Sequence, residues 1–181
     1  MKKITVPKYA LEIALLGVAK KAVRRTLECV QIKGNMIIST NSHVAIAVTN
    51  PPTYLTDDND VNVLITGQSL ATALKAFAKE PNVTLSVSDD SVTLSNANGA
   101  VVPLDTMDDW FPDIASLDLG AAGLTESNIG AANLAIIAKV GAILTKHGAS
   151  APDYCTIALQ EKGMTVTFGD AVKILVAGFV K

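Results

Sequence analysis

Three stretches of the chain alternate apolar and polar residues with one shared layout: LECVQIKGNMIISTNSHVAIAVT from Leu27 to Thr49, VTLSVSDDSVTLSNANGAVVPLD from Val83 to Asp105, and CTIALQEKGMTVTFGDAVKILVAGFVK from Cys155 to Lys181. A period of two is that of a half-buried strand. A turn pair cuts each stretch once, at Gly34-Asn35, Asp89-Asp90 and Lys162-Gly163. A second turn follows at Asn41-Ser42, Asn98-Gly99 and Gly169-Asp170. Gly, Asn and Asp tolerate the positive φ that tight hairpins need. Each stretch therefore predicts a three-stranded antiparallel meander.

A segment of helical spacing precedes each meander. The first runs from Lys8 to about Val23, with Leu11, Leu15 and Val18 on one face. The second runs from Gln68 to Lys79, with Leu70, Leu74 and Phe77 on one face. The third runs from about Ala131 to Lys146, with Leu134, Ile137, Gly141 and Leu144 on one face. Short apolar strands, KITV and VNVLIT, lead into the first two helices, and a weaker one near GLTESNI leads into the third. The predicted unit is β-α-β-β-β, repeated three times. The fold class is α+β, with helices on one face of antiparallel sheet. Linkers fall at Asn50 to Asp60 and at Trp110 to Glu126. The expected division is a domain of two units over 1–118 and a third unit, half of such a domain, over 119–181.

Composition narrows the class. The chain has 181 residues, is 49% hydrophobic and 18% charged, and so is long and apolar enough to bury a core. The start, MKKITVPKYALEIALLGVAKKAVRR, carries two lysines before apolar residues, but Pro7, Lys8 and Glu12 interrupt the run. It is read as folded protein, with no membrane span and a cytoplasmic location. Cys29 and Cys155 sit in strand-like runs and are expected to be buried free thiols.

The net charge of −2 gives no sign of a nucleic-acid partner, but its distribution does. The three helical segments hold nine bases (Lys8, Lys20, Lys21, Arg24, Arg25, Lys75, Lys79, Lys139, Lys146) against Glu12 and Glu80. The strands and loops hold most of the acids. Gln68, Thr72, Lys75 and Lys79 form one stripe opposite the Leu70 stripe, and Ala132, Ala135, Lys139, Ala142 and Lys146 form another. A solvated helix face usually mixes Glu with Lys, and these omit the acid. One continuous basic surface would hold a polyanion by its phosphates without reading sequence.

Two motifs add a resemblance. AVRRTLECVQIKGNMIISTNSHVAIAV, with Ser39-Thr40-Asn41-Ser42-His43-Val44-Ala45 inside it, and DTMDDWFPDI, with its Phe-Pro-Asp, both resemble segments of the bacterial sliding clamp, the β-subunit-type processivity factor of DNA polymerase. The resemblance covers Met1 to about Ile114 and, more faintly, the third unit. It implies a ring with helices inside and sheet outside, encircling duplex DNA without sequence specificity and tethering replication proteins: a DNA polymerase and a clamp loader. The DNA-binding residues would be Lys20, Lys21, Arg24, Arg25, Lys75, Lys79, Lys139 and Lys146. The family's peptide pocket maps to His43, Val44, Ala45, Leu175 and Val176. Thr26 stands where Pro is usual and Val44 where Arg is usual, and the tail lacks the family's Met-Pro-Met-Arg-like end, which leaves partner docking open. A ring of this kind uses twelve units. Three per chain predicts a homotetramer, with a dimer as the fallback, in which the unpaired third unit pairs two-fold with its copy.

Rival readings are an enzyme and a clamp mimic that binds replication partners without encircling DNA. Two His and two Cys show no metal-ligand spacing, and DLGAAG lacks the Lys of a phosphate loop. Asp108 and Asp109 are read as a solvated turn. No nucleophile lies beside a base, so catalysis, cofactor and metal are not expected. In DDWFPDI, Trp110 and Phe111 are expected to pack together on the edge of the first domain.

Overall fold

The computed structural model describes residues 1–49, 61–114, 117, 130–147 and 155–177. Strand β1 (Lys2–Pro7) leads into helix α1 (Lys8–Leu15), then a 3-10 turn (Arg25–Glu28) and the meander β2 (Cys29–Lys33), β3 (Met36–Thr40), β4 (Val44–Thr49). The second unit is β5 (Asn62–Thr66), α2 (Gly67–Ala76), β6 (Asn82–Val87), β7 (Val92–Ser95) and β8 (Val101–Leu104), followed by the short β9 (Thr106–Met107). The third is α3 (Ala131–Lys146) with β10 (Thr156–Gln160), β11 (Gly163–Phe168) and β12 (Val172–Ala177). All three meanders form where the alternation predicts them. The strand predicted near GLTESNI lies outside the described residues.

Turn chemistry fixes the registers. Gly34 takes a φ of 53° and closes β2 onto β3, so Lys33 faces Met36. Between β3 and β4, Ser42 takes a φ of 74°. Asn41 Oδ1 holds that turn by accepting from the N–H groups of His43 and Val44, at 3.0 and 2.9 Å.

The first two units interlock by exchanging strands. β1 pairs antiparallel with β6, and β5 pairs antiparallel with β2, so each unit's first strand lies in the other's sheet. One core then serves both: Leu11 and Ile13 of α1, Leu70 and Leu74 of α2, and Ile4, Ile32, Ile46, Ile65, Leu85 and Leu94 of the strands are all buried in it.

The third unit does not stand off unpaired, as the linker had suggested. β12 pairs antiparallel with β4, from Val172 opposite Val48 to Val176 opposite Val44. The large sheet thus runs eight strands in the order β10-β11-β12-β4-β3-β2-β5-β9. Val140 and Leu144 of α3 join the common core. The physical cause is an open edge: β4 offers a row of unpaired backbone groups, and β12 satisfies them.

Two helix expectations change. α1 ends at Leu15 and does not reach Val23. Its last turn tightens through bonds from Leu16, Gly17 and Val18 N–H to the carbonyls of Ile13, Ala14 and Leu15. Gly17 then passes so close to β3 that a Cβ there would collide with Ser39 Oγ. Lys20, Lys21 and Arg24 are therefore on a loop, and Arg25 opens the 3-10 turn. In α3 the buried pair is Val140 and Leu144, while Leu134 is 49% exposed.

Candidate nucleic-acid interface

The loop after α1 is held at both ends. Ala19 N–H donates to Leu27 O at 2.9 Å, Leu27 N–H to Arg24 O at 3.1 Å, and Ala22 N–H to Glu28 Oε1 at 2.8 Å. This leaves Lys20, Lys21, Val23, Arg24 and Arg25 pointing outward, all exposed. The loop walls an open groove of about 1000 Å³ on the helix side of the sheet. Lys20, Lys21 and Arg24 line it from one unit and Lys139 of α3 from another, and His43 closes its end. Among the described residues, no Asp or Glu lines this groove.

The remaining predicted cations are spread around it. Lys75 on α2 and Lys146 on α3 are exposed on the outer stripes; Lys79, expected at the end of the second helix, is exposed in the turn beyond it because α2 ends at Ala76, and none of the three lines the groove. Arg25 lines a neighbouring pocket that shares Lys20. Both predicted stripes, from Gln68 to Lys79 and from Ala132 to Lys146, are exposed throughout at the named positions. Lys8 is the exception among the nine bases of the three expected helical segments. It is buried, with Nζ 3.0 Å from Glu12 Oε1 and donating to Ala78 O at 3.0 Å.

The opposite charge collects on the other face. A cleft of about 550 Å³ beside β2, β3 and β5 is lined by Asp89, Asp90, Asp108, Asp109 and Asp113, with Lys33 as the one base among the described residues that line it. Trp110 borders this cleft and is 62% exposed, so it does not pack into the domain edge as expected. The Arg24 guanidinium sits over its ring at 5.3 Å from the centroid. Phe111 does pack, 7% exposed, in a cluster with Cys29, Ile38, Ala45, Leu64, Ile114 and Leu175 on the outer side of the large sheet. The split follows from the backbone: adjacent residues in an extended segment point to opposite sides.

The five peptide-pocket positions divide three ways. Ala45 and Leu175 are register partners across the β4–β12 junction and line a shallow groove of about 220 Å³ with Met36, Ile38, Ala47 and Ile114. Val44 and Val176 have the other parity and are 1% and 0% exposed, inside the core. His43 is on the turn, at the basic groove. Sequence reasoning missed Met36, Ile38 and Ala47. Strand parity carries that signal once the pairing of β3, β4 and β12 is known.

Burial raises the Cys29 thiol pKa, and the neighbouring Glu28 carboxylate adds to the rise. The thiol is held neutral and serves packing. Among the described residues, no group of three or more His, Cys, Asp or Glu could hold a metal ion, and no helix is long and apolar enough to cross a membrane.

This arrangement matches a known architecture. No protein family matches the sequence, and no curated protein does. Solved structures do: DNA polymerase III beta subunit of Thermotoga maritima superposes with a TM-score of 0.73 at 13% identity, over 97% of this chain and 64% of that one. The DNA polymerase sliding clamp of Bacillus subtilis gives 0.74 at 12% identity, over 99% of this chain and 64% of that one. The Helicobacter pylori beta clamp, bound to a DNA ligase peptide, gives 0.65 at 12% identity, over 99% and 67%. The chain has the α+β fold of bacterial DNA sliding clamps and spans 64% of the length of the first of these relatives.

Proposed function

We propose that this chain is a sliding-clamp-like processivity factor, which encircles duplex DNA without reading its sequence and tethers replication proteins. The observation that carries the reading is the groove in which Lys20, Lys21, Arg24 and Lys139 meet on the helix side, lined by no acid among the described residues, in a clamp fold. Such a surface holds phosphates through long-range attraction and releases counterions on binding. The chain is a binding protein in this reading, with no catalytic residue. Reversing all four charges to Glu and measuring retention on nicked circular DNA tests it. Retention should fall at least tenfold and the salt slope should flatten; unchanged retention would favour a clamp mimic that never encircles DNA.

The partners are a DNA polymerase and a clamp loader, whose peptides would dock in the apolar groove over Ala45 and Leu175. Titrating a short polymerase-tail peptide against wild type and Ala47→Asp tests that surface, because Ala47 lines it and is only half-buried. Equal binding removes it.

The ring closes in this reading as a homotetramer of three units per chain, with a dimer as the smaller stable form. Two features support pairing through the third unit. Ile157 on the edge strand β10 is 55% exposed, and Leu134 on α3 is 49% exposed. No charge or Pro blunts β10 along Thr156–Gln160, whereas edge strand β8 carries Pro103. Light scattering at micromolar concentration reads the mass directly. A monomer or trimer would defeat the counting.

A further inference from the structure

We propose that the third unit is completed by the third unit of a second copy of this chain, which lays a strand along β10 and a helix against α3 and so closes one shared core. This deepens the assembly proposed above by naming its joint, and the joint does not depend on DNA binding.

All three helices begin alike. Their caps, Pro7, Thr66 and Gly130, take φ/ψ of −60°/130°, −63°/134° and −64°/137°. Each helix then places a Leu at its fourth residue: Leu11, Leu70 and Leu134. Leu11 and Leu70 are 0% exposed, yet Leu134 is 49% exposed. The first meander strands repeat the contrast. β2 and β10 both end in two-residue hairpins, with Lys33 opposite Met36 and Gln160 opposite Gly163. Three residues before those ends stand Val30 and Ile157. Val30 is 0% exposed and Ile157 is 55% exposed, although Val166, opposite Ile157 on β11, is wholly buried.

The first two units show what covers these positions. Val30 lies opposite Ile65, and Val83 of β6 lies opposite Val6, so in each unit the companion's leading strand seals the first meander strand. α1 and α2 also pack against each other. Among the described residues, β10 has β11 as its one neighbour in the sheet. A unit of the same kind fits the open face, because two such units already fit each other within the chain. A second copy presents an identical face, and two-fold pairing satisfies both at once. The face also meets itself without repulsion. Thr156–Gln160 and residues 131–138 of α3 hold no charged side chain, whereas α1 carries Lys8 and Glu12 over the same turns. An open, uncharged edge strand is a template for a strand of another chain, and here that strand would finish a core as well.

Sedimentation and hydrogen exchange of the full chain across a dilution series test this. The chain should associate at micromolar concentration. On dilution to monomer the β10 amides should exchange about tenfold faster, while those of β6, sealed within the chain by β1, stay unchanged. Ile157→Lys and Leu134→Lys change positions that are exposed in the single chain, so its fold should survive. Each should weaken association at least about thirtyfold, because it would bury an unpaired ammonium in the joint. Association that survives both substitutions, or a mass that depends on concentration while β10 exchange does not, places the joint elsewhere and overturns the proposal. A chain that stays monomeric also overturns it and leaves the face to a unit of another protein. A joint that passes these tests in a chain that does not retain DNA supports the inference and defeats only the clamp reading.

Discussion

α1 and α3 follow the same repeat pattern, yet α1 buries five of its eight residues and α3 buries two of sixteen. α1 lies between two sheets, against α2, in a unit whose first strand has crossed into the neighbouring sheet. Among the described residues, α3 packs against α1 and meets the third unit's sheet where Gly141 lies beside Phe168 of β11. Burial at the first site comes from interlocking, because neither unit can leave without breaking the other's sheet. At the third unit it comes from docking, which leaves Leu134 and Ile157 in solvent. The same element type thus reads as a core helix in one place and as half of an unfinished core in the other.

The sharpest way to break this contrast is at the residue common to both regions. Phe111 shares a buried cluster with Cys29, Ile38 and Leu64 of the first two units and Leu175 of the third. Phe111→Ala is expected to cost about 3–5 kcal/mol in chemical melts, while the exposed Trp110→Ala costs under about 1. Leu11→Ala, at the centre of the interlocked core, should remove about 3 kcal/mol and lower hydrogen-exchange protection in every unit. Val140→Ala removes two methyl groups, about 1–2 kcal/mol at roughly 0.8 each. Its effect should be confined to α3 and β10–β12. A global loss from Val140→Ala would erase the distinction between interlocked and docked units.

Two smaller effects sharpen the view of the first unit. Thr26 is fully buried, and its Oγ1 finds no partner in the structure. Thr26→Val should stabilise by about 1 kcal/mol, since an unsatisfied hydroxyl costs desolvation and a methyl does not; an equal loss on melting would show the hydroxyl to be satisfied. Cys29 gives a pH dependence with a fixed sign. Its thiol pKa is raised in the folded state, so the unfolded chain loses that proton first. Stability should decline as pH rises past the ordinary thiol value of 9.0, and Cys29→Ser should remove that component. Alkylation should likewise find half-buried Cys155 before buried Cys29.

The meanders, the second and third helices and the solvent-facing basic stripes were legible in the sequence because they depend on local periodicity and turn residues. Gly34, Asn41 and Gly99 announce hairpins wherever the chain goes. The exposure of all eight candidate DNA-contacting cations was legible for the same reason, since charged side chains are seldom fully buried. What the sequence left open was set by neighbours far away in the chain. α1 stops at Leu15 because β3 crosses beside Gly17, a contact no local pattern encodes. Lys8 turns inward because Ala78 O and Glu12 await it. Val44 and Val176 face the core while Ala45 and Leu175 face the outer groove, and only the pairing of β4 with β12 sets which parity points which way. Periodicity specifies that one face of a strand is buried. Which element buries it is decided by long-range contacts, and those exist only once the chain has folded.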